Sequence, residues 1–431
     1  MISAVEAKAL EFSGDKLRYT PFEKTGVIVV DNFPMLGKLT ALRFIEWVQS
    51  NPGGVISLPT GKTPEYFIKE VDRFISGWTE NSVRKELEEW GIDNKKKPDF
   101  RSLHFVQIDE FYPINPNQHN SFYYYVNEFY IKGFGLDPNK AHLINCSKIG
   151  LPEGTSIEDV WPENRVDISL RYRTPANKQE VLQQKTIQRI DQWCVDYENE
   201  IRSLGGIGFF LGGIGPDGHI GFNVRGSDFY STSRLTETNY ETQAAAATDL
   251  GGIEVSRNRL VITIGLSTIT FNPNCTAVII AAGEAKARVV ADAIENEMDI
   301  VYPATVLQKL KHARFFLTRG ASKLLTARSV KAFTELKEPE GEKIEKIIID
   351  LSIEKNKEIT ELTAEDYNSS PVAQVLYRRF SKKIKTFQND TIKSLKDKLL
   401  KGTQLDSNKI FLHTEPHHDD LMLGYLPFIV R

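Results

Sequence analysis

The chain has 431 residues, a formal net charge of −3 and 41% hydrophobic residues. That length exceeds one ordinary domain and allows a sizeable core, while the near-neutral balance offers neither a nucleic-acid nor a membrane surface. The N-terminal MISAVEAKALEFSG lacks the basic-then-apolar order of a secretory signal, and no apolar run is long enough to span a bilayer. Cys146, Cys194 and Cys275 stand far apart without metal or disulfide spacing, which suits a reducing cytoplasm.

Residues up to about Tyr19 read as a mobile lead-in. Residues 27–30 form a short β-branched run, a predicted strand. A helical spacing of Leu36, Leu39, Leu42, Phe44 and Ile45 follows, stopped by Asn51-Pro52-Gly53-Gly54. Residues 55–58 are again strand-like and run into Pro59-Thr60-Gly61-Lys62-Thr63-Pro64 before a helical segment. A strand, a small-residue loop and a helix start make an anion site, because backbone N–H groups are left pointing outward there. The spacing is not that of a P-loop, and from these residues alone an ordinary βα turn with Pro64 opening the helix is the better reading.

Residues 80–97 are charged and read as solvated. Residues 103–108 form a predicted strand that delivers Asp109 and Glu110 at its C-terminal end, where one carboxylate is placed either for general-base work or to cap a turn. The aromatic run 122–125 suits core or interface. Residues 148–175 show no periodicity and read as a surface excursion. Residues 178–202 are helical, with Ile187, Ile190, Trp193 and Tyr197 on one face.

That helix feeds IGFFLGGIGPDGHIGFN, residues 207–223, the stretch around which the chain is organised. It begins as a buried strand, breaks at Gly212, Gly213 and Gly215, and presents Asp217, Gly218 and His219 on a tight turn. Open α/β sheets place their chemistry at such strand ends. Residues 242–250 are helix-prone and small, and read either as a lid or as a plain surface helix. Strands are predicted at 260–264, 277–281 and 313–318, and Gly283-Glu284-Ala285-Lys286 follows the second of these. The alternation of strands and helices calls for a mostly parallel, doubly wound sheet. It ends near Leu325. Residues 337–346 read as a charged linker, residues 372–400 as a basic amphipathic helical stretch, and residues 410–412 as a new strand leading to Glu415-Pro416-His417-His418-Asp419-Asp420.

Four separated motifs together resemble the glucosamine-6-phosphate deaminase/isomerase family: Ser57 to Pro64, Ile108-Asp109-Glu110-Phe111, Gly213 to Asn223, and Gly283 to Lys286. Their order and spacing match over roughly residues 20–325, apart from an insertion near 149–178. The resemblance implies a Rossmann-like α/β domain over residues 20–330 and an aldose–ketose isomerisation with loss of ammonia from a phosphorylated amino sugar. By match, Asp109 is the base, His219 moves a proton at the ring oxygen and Asp217 orients it. Thr60, Gly61, Lys62, Thr63 and Lys286 would bind the phosphate, with Arg234 or Arg225 as substitute cations, and no metal or cofactor is required. A homo-oligomer is compatible with the family.

Two positions depart from the pattern. The family's Phe-Asn-Glu-Pro becomes Phe222-Asn223-Val224-Arg225, so the glutamate that completes the histidine's acidic pair is a valine. The family's phosphate arginine falls at Thr248. These departures keep open a non-catalytic sugar-phosphate-binding or regulatory role, and the shared Gly-Pro-Asp-Gly-His keeps open a 6-phosphogluconolactonase-like hydrolase. Residues 331–405 are expected to form a charged linker and helical segment. Pro416 to Asp420 resembles the opening motif of LmbE-like zinc-dependent N-acetylglucosaminyl deacetylases, in which His417 and Asp420 would bind zinc and Asp419 would be the base. Residues 406–431 then read as the start of a truncated second α/β domain, its zinc site incomplete.

Overall fold

Fully apolar runs of three to six residues cannot face water on either side, so they pair as the interior of a parallel sheet. The computed structural model describes residues 2–404 except 251, 253–255 and 257, together with 410 and 412. Its strands are β1 (Gly26–Val30), β2 (Val55–Ser57), β3 (His104–Val106), β4 (Asp109–Tyr112), β5 (Ala141–His142), β6 (Phe209–Gly212), β7 (Arg234–Thr236), β8 (Leu260–Thr263), β9 (Thr276–Ala281) and β10 (Arg314–Thr318).

Seven of them form one sheet in the order β1-β10-β9-β6-β2-β3-β5, with every pairing parallel. Side chains alternate across it. Phe210 joins Val27, Ile279 and Phe315 on one face, while Phe209 and Leu211 join Ile28, Val278 and Phe316 on the other. Helix Lys178–Ser203 covers the first face through Ile187, Ile190 and Tyr197, and helix Phe33–Ser50 covers the second through Leu39, Leu42, Phe44 and Ile45. Helices on both faces make the sheet doubly wound, as the alternation of elements predicts. The remaining strands form a small antiparallel sheet, β4-β8-β7, with Asp109 opposite Thr263 and Arg234 opposite the same threonine.

Several local expectations are corrected. The N-terminal lead-in is a helix, Ala4–Ser13, closed by a Ser3–Glu6 capping box. The buried Glu6 carboxylate pairs with Arg43 and Arg314 at 3.2 and 3.1 Å, which fixes this helix to the domain. The predicted strand over 103–108 ends at Val106, and Asp109 opens a strand of the other sheet. The charged stretch 80–97 contains helix Asn81–Glu89, with Val83, Leu87 and Trp90 buried. The excursion at 148–175 is part of the core: Trp161 is fully buried and its indole N–H donates to the Tyr112 hydroxyl at 3.0 Å.

The chain forms two compact units, Met1–Arg328 and Ser329–Arg431. The described part of the second is helical. Ile344, Ile348 and Leu351 of helix Gly341–Lys355 pack with Tyr367, Leu376 and Ile384 in a core of their own. Gly341 therefore opens a helix where the sequence reads as linker. The basic stretch 372–400 is two helices, Pro371–Phe380 and Ile384–Thr403, joined by a single tight turn. Ile410 and Leu412 are exposed and belong to no strand, and His417, Asp419 and Asp420 lie outside the described residues.

Candidate active site

The sheet order reverses direction between β6 and β2, and open α/β sheets bind ligands outside the carboxyl ends of the strands at such a point. A cavity of about 590 Å³ lies there. Its wall includes Thr60, Lys62 and Thr63 after β2, Asp109 at the start of β4, Gly212 to Gly215 and His219 after β6, and Gly283 and Lys286 after β9. Phe33, Phe122 and Phe222 supply aromatic surface. Four turns far apart in the chain thus meet in one place.

The turn after β2 is shaped for an anion. Gly61 adopts φ +82°, a conformation that side chains disfavour. Helix Glu65–Ser76 starts behind it with no side chain capping its N-terminus. Two tyrosines brace this turn from outside. The Tyr130 hydroxyl donates to the Pro59 carbonyl at 2.5 Å and the Tyr125 hydroxyl to the Gly61 carbonyl at 3.0 Å. The sequence places Tyr125 in core or interface; the grip of both tyrosines on the turn is a tertiary feature.

Asp109 and Glu110 are neighbours on β4, so their side chains leave on opposite faces. Asp109 lines the cavity; its carboxyl has no hydrogen-bond donor among the described residues. Burial, and then the charge of Glu110, hold it well above the usual carboxylate range. Glu110 is completely buried and accepts from the N–H groups of Phe111, Phe122 and Tyr123 and from the Ser121 hydroxyl, at 2.7 to 3.1 Å. Burial raises its carboxyl too, against the pull of those four donors. The side chain free to exchange a proton with a ligand is Asp109; Glu110 is an anchor for helix Phe122–Val126.

On the turn after β6, Asp217 Oδ1 lies 2.5 Å from His219 Nδ1. Asp217 Oδ2 accepts from the Arg225 N–H at 3.0 Å and the Asn239 amide at 2.6 Å. Burial works to raise this carboxyl, but the His219 ring and the two further donors outweigh it and hold it well below the usual range. With Nδ1 committed to Asp217, Nε2 is the nitrogen His219 offers to the cavity. Gly215 makes this arrangement possible. The imidazole lies against its Cα, and a Cβ there would sit 2.0 to 2.3 Å from ring atoms.

Lys286 reaches the cavity wall, where its ammonium donates to the Ile214 carbonyl at 2.8 Å and burial lowers its pKa. Arg234 does not. Its guanidinium is directed to the Asn223 side chain at 2.9 Å and the Thr232 carbonyl at 3.2 Å, bracing the signature turn instead of facing a phosphate. Asn223 in turn donates to the carbonyls of Ile220 and Ile264. Arg225 is exposed, and its guanidinium lies over the Tyr302 ring. Thr248 falls within helix Tyr240–Leu250, and its side chain lies outside the described part. Among the described residues, no group of three or more His, Cys, Asp or Glu could hold a metal ion. No described helix is long and apolar enough to cross a membrane.

No protein-family model matches the chain. Over 303 residues it is 26% identical to glucosamine-6-phosphate deaminase 2 of Bacillus subtilis, covering 70% of this chain and 98% of that protein. It is 25% identical to the glucosamine-6-phosphate deaminase of Halothermothrix orenii over 299 residues, covering 69% of this chain and 99% of that one. Among solved structures it is similar to a monomeric glucosamine-6-phosphate deaminase described as a missing link of the NagB superfamily, with a TM-score of 0.51 and 22% identity over 69% of this chain and 99% of that one. The structural likeness is one of fold.

Proposed function

We propose that this chain is a glucosamine-6-phosphate deaminase-like enzyme. It would convert a phosphorylated amino sugar and water into the corresponding ketose phosphate and ammonia. The observation that carries this reading is a single cavity lined by an anion-shaped turn, a buried carboxylate with no donor among the described residues, and an acid-held histidine. Two relatives that bear the deaminase name and align over nearly their whole length support it.

In this reading the phosphate rests on the backbone of Gly61, Lys62 and Thr63, with Lys286 nearby. His219 Nε2 carries the proton at the ring oxygen as the sugar opens. Asp109, ionised, takes the proton from C2 and returns it at C1, moving the double bond so that C2 becomes an imine. Water then adds to that imine and ammonia leaves. Asp109's raised pKa suits the task, since a general base works best with a pKa near the operating pH. The three buried free thiols fit a reducing cytoplasm.

The test is a coupled assay for ammonia together with direct detection of fructose 6-phosphate from glucosamine 6-phosphate, using the full chain. Equal yields of both are expected. Calorimetric binding of the sugar phosphate without turnover would overturn the enzymatic reading in favour of a binding or regulatory role. Hydrolysis of 6-phosphogluconolactone in its place would make the protein a lactonase. The deacetylase-like reading of Pro416 to Asp420 rests on that motif alone.

A further inference from the structure

The position at which the deaminase motif carries a second carboxylate for the histidine is Val224 here, and a valine can neither accept a hydrogen bond nor fix an imidazole. Yet Asp217 and His219 are not loosely held. Among the described residues every side-chain polar atom of the pair except Nε2 has a partner, and two of those partners come from one place, the start of helix Tyr240–Leu250.

Asn239 precedes that helix and uses both ends of its amide. Its Oδ1 accepts the Thr242 N–H at 3.0 Å, which caps the helix. That bond fixes the amide's orientation and leaves its NH₂ group aimed at Asp217 Oδ2, 2.6 Å away. Thr242, almost completely buried, brings its hydroxyl oxygen to 3.3 Å from His219 Nδ1, beside the bond that Nδ1 makes to Asp217. A capping role alone would need only the Oδ1 contact. The second contact, and the burial of the threonine hydroxyl against the imidazole, have no use in the helix itself.

We propose that Asn239 and Thr242 are positioning residues that take over the work of the absent second carboxylate. Asn239 locks the Asp217 carboxylate, and Thr242 limits rotation of the His219 ring so that Nε2 stays toward the cavity. This inference rests on the deaminase reading. It also ties the acid–histidine pair to the first turn of a helix whose sequence suits a lid, so a movement of that turn would reach His219 directly.

The test compares steady-state ammonia release by Thr242→Val, Thr242→Ser and Asn239→Asp with that of the unaltered chain. Thr242→Val is nearly isosteric but has no hydroxyl. Asn239→Asp keeps the cap while replacing the donor with a like charge facing Asp217. Each is expected to lower kcat on the order of 10- to 100-fold with KM changed by less than about twofold, while Thr242→Ser stays within about threefold of the starting rate. Full kcat in Thr242→Val or in Asn239→Asp would overturn the inference, as would a serine variant no better than the valine. A second readout separates this inference from the reading beneath it. In the unaltered chain the Nδ1 proton of His219 should give a sharp low-field NMR signal, broadened in Thr242→Val whether or not ammonia is released. A sharp signal in both proteins would overturn the positioning role. Absence of ammonia release from the unaltered chain, with the signal behaving as expected, would overturn the deaminase reading and leave the positioning role standing.

Discussion

Two carboxylate neighbourhoods meet at the cavity, and burial acts on both in the same direction with opposite results. On β4, Asp109 finds no donor among the described residues and has an acidic neighbour, so burial wins and the proton is retained far above the usual range. On the turn after β6, Asp217 is also shielded from solvent, yet an imidazole, a backbone N–H and an amide hold it ionised. Glu110 lies between these cases, with four donors but complete burial. Depth alone does not set protonation. The balance between burial and the donors, with a chargeable imidazole counting for more than neutral N–H groups, decides it, and that division leaves one acid fit to exchange a proton and another fit to hold a histidine.

The sharpest way to break this division is Asp109→Asn, which removes the exchangeable acid while filling the same space. Ammonia release should fall by about 10²- to 10⁴-fold, with binding of the sugar phosphate by calorimetry little changed. Retained turnover would move the base elsewhere. Gly215→Ala attacks the other side. The added methyl overlaps the imidazole, so His219 must swing away from its place beside Asp217. Because the ring lies at the cavity, the fold can absorb the shift, and a loss of about 10²-fold in kcat with a circular dichroism spectrum unchanged is the expected result.

How much of this was legible in the sequence follows from which forces are local. The strand-to-turn breaks at Pro59 to Pro64, Gly212 to His219 and Gly283 to Lys286 were readable, because apolar runs and glycines act over a few residues. Period-two alternation implies that Asp109 and Glu110 face opposite ways, but only the sheet pairing tells which one meets the cavity. The Ser3–Glu6 capping box is a local helix-start signal, and it makes a helix of the segment that composition alone suggests is mobile. Trp161 in a segment without periodicity, Arg234 turned to Asn223, and Asn239 gripping Asp217 depend on contacts between distant residues, which no local pattern carries.

Glu110→Gln sharpens the comparison through smaller effects. One amide end can serve the donors that the carboxylate oxygens now share, but its NH₂ must face N–H groups, so a loss of about 1–3 kcal/mol in stability is expected from chemical denaturation. The same change removes the like charge beside Asp109. Because that charge raises the Asp109 pKa, its loss lowers it, and the ionised base appears at lower pH. The acid limb of kcat/KM should therefore move down in Glu110→Gln, and a limb that stays put would show that Asp109 does not sense its neighbour.

The smallest effect concerns the fold itself. A carboxyl whose pKa is raised on folding binds more protons in the native than in the unfolded chain. Stability then declines as pH rises from the unfolded value, about 4, through the folded one. Asp109 and Glu110 both contribute in this sense. Asp217, lowered on folding, contributes stability that is fully present above about pH 4 and is lost only as pH falls through its own depressed value. Of these three carboxyls only the first pair is in play between pH 5 and pH 8, while His104 and His312, lowered on folding, act there in the opposite sense. The slope of melting temperature against pH should therefore be more negative in the unaltered chain than in Asp109→Asn, because the asparagine has no proton to lose. An equal slope in the two proteins would mean that Asp109 is already ionised at pH 5, and its contrast with Asp217 would vanish.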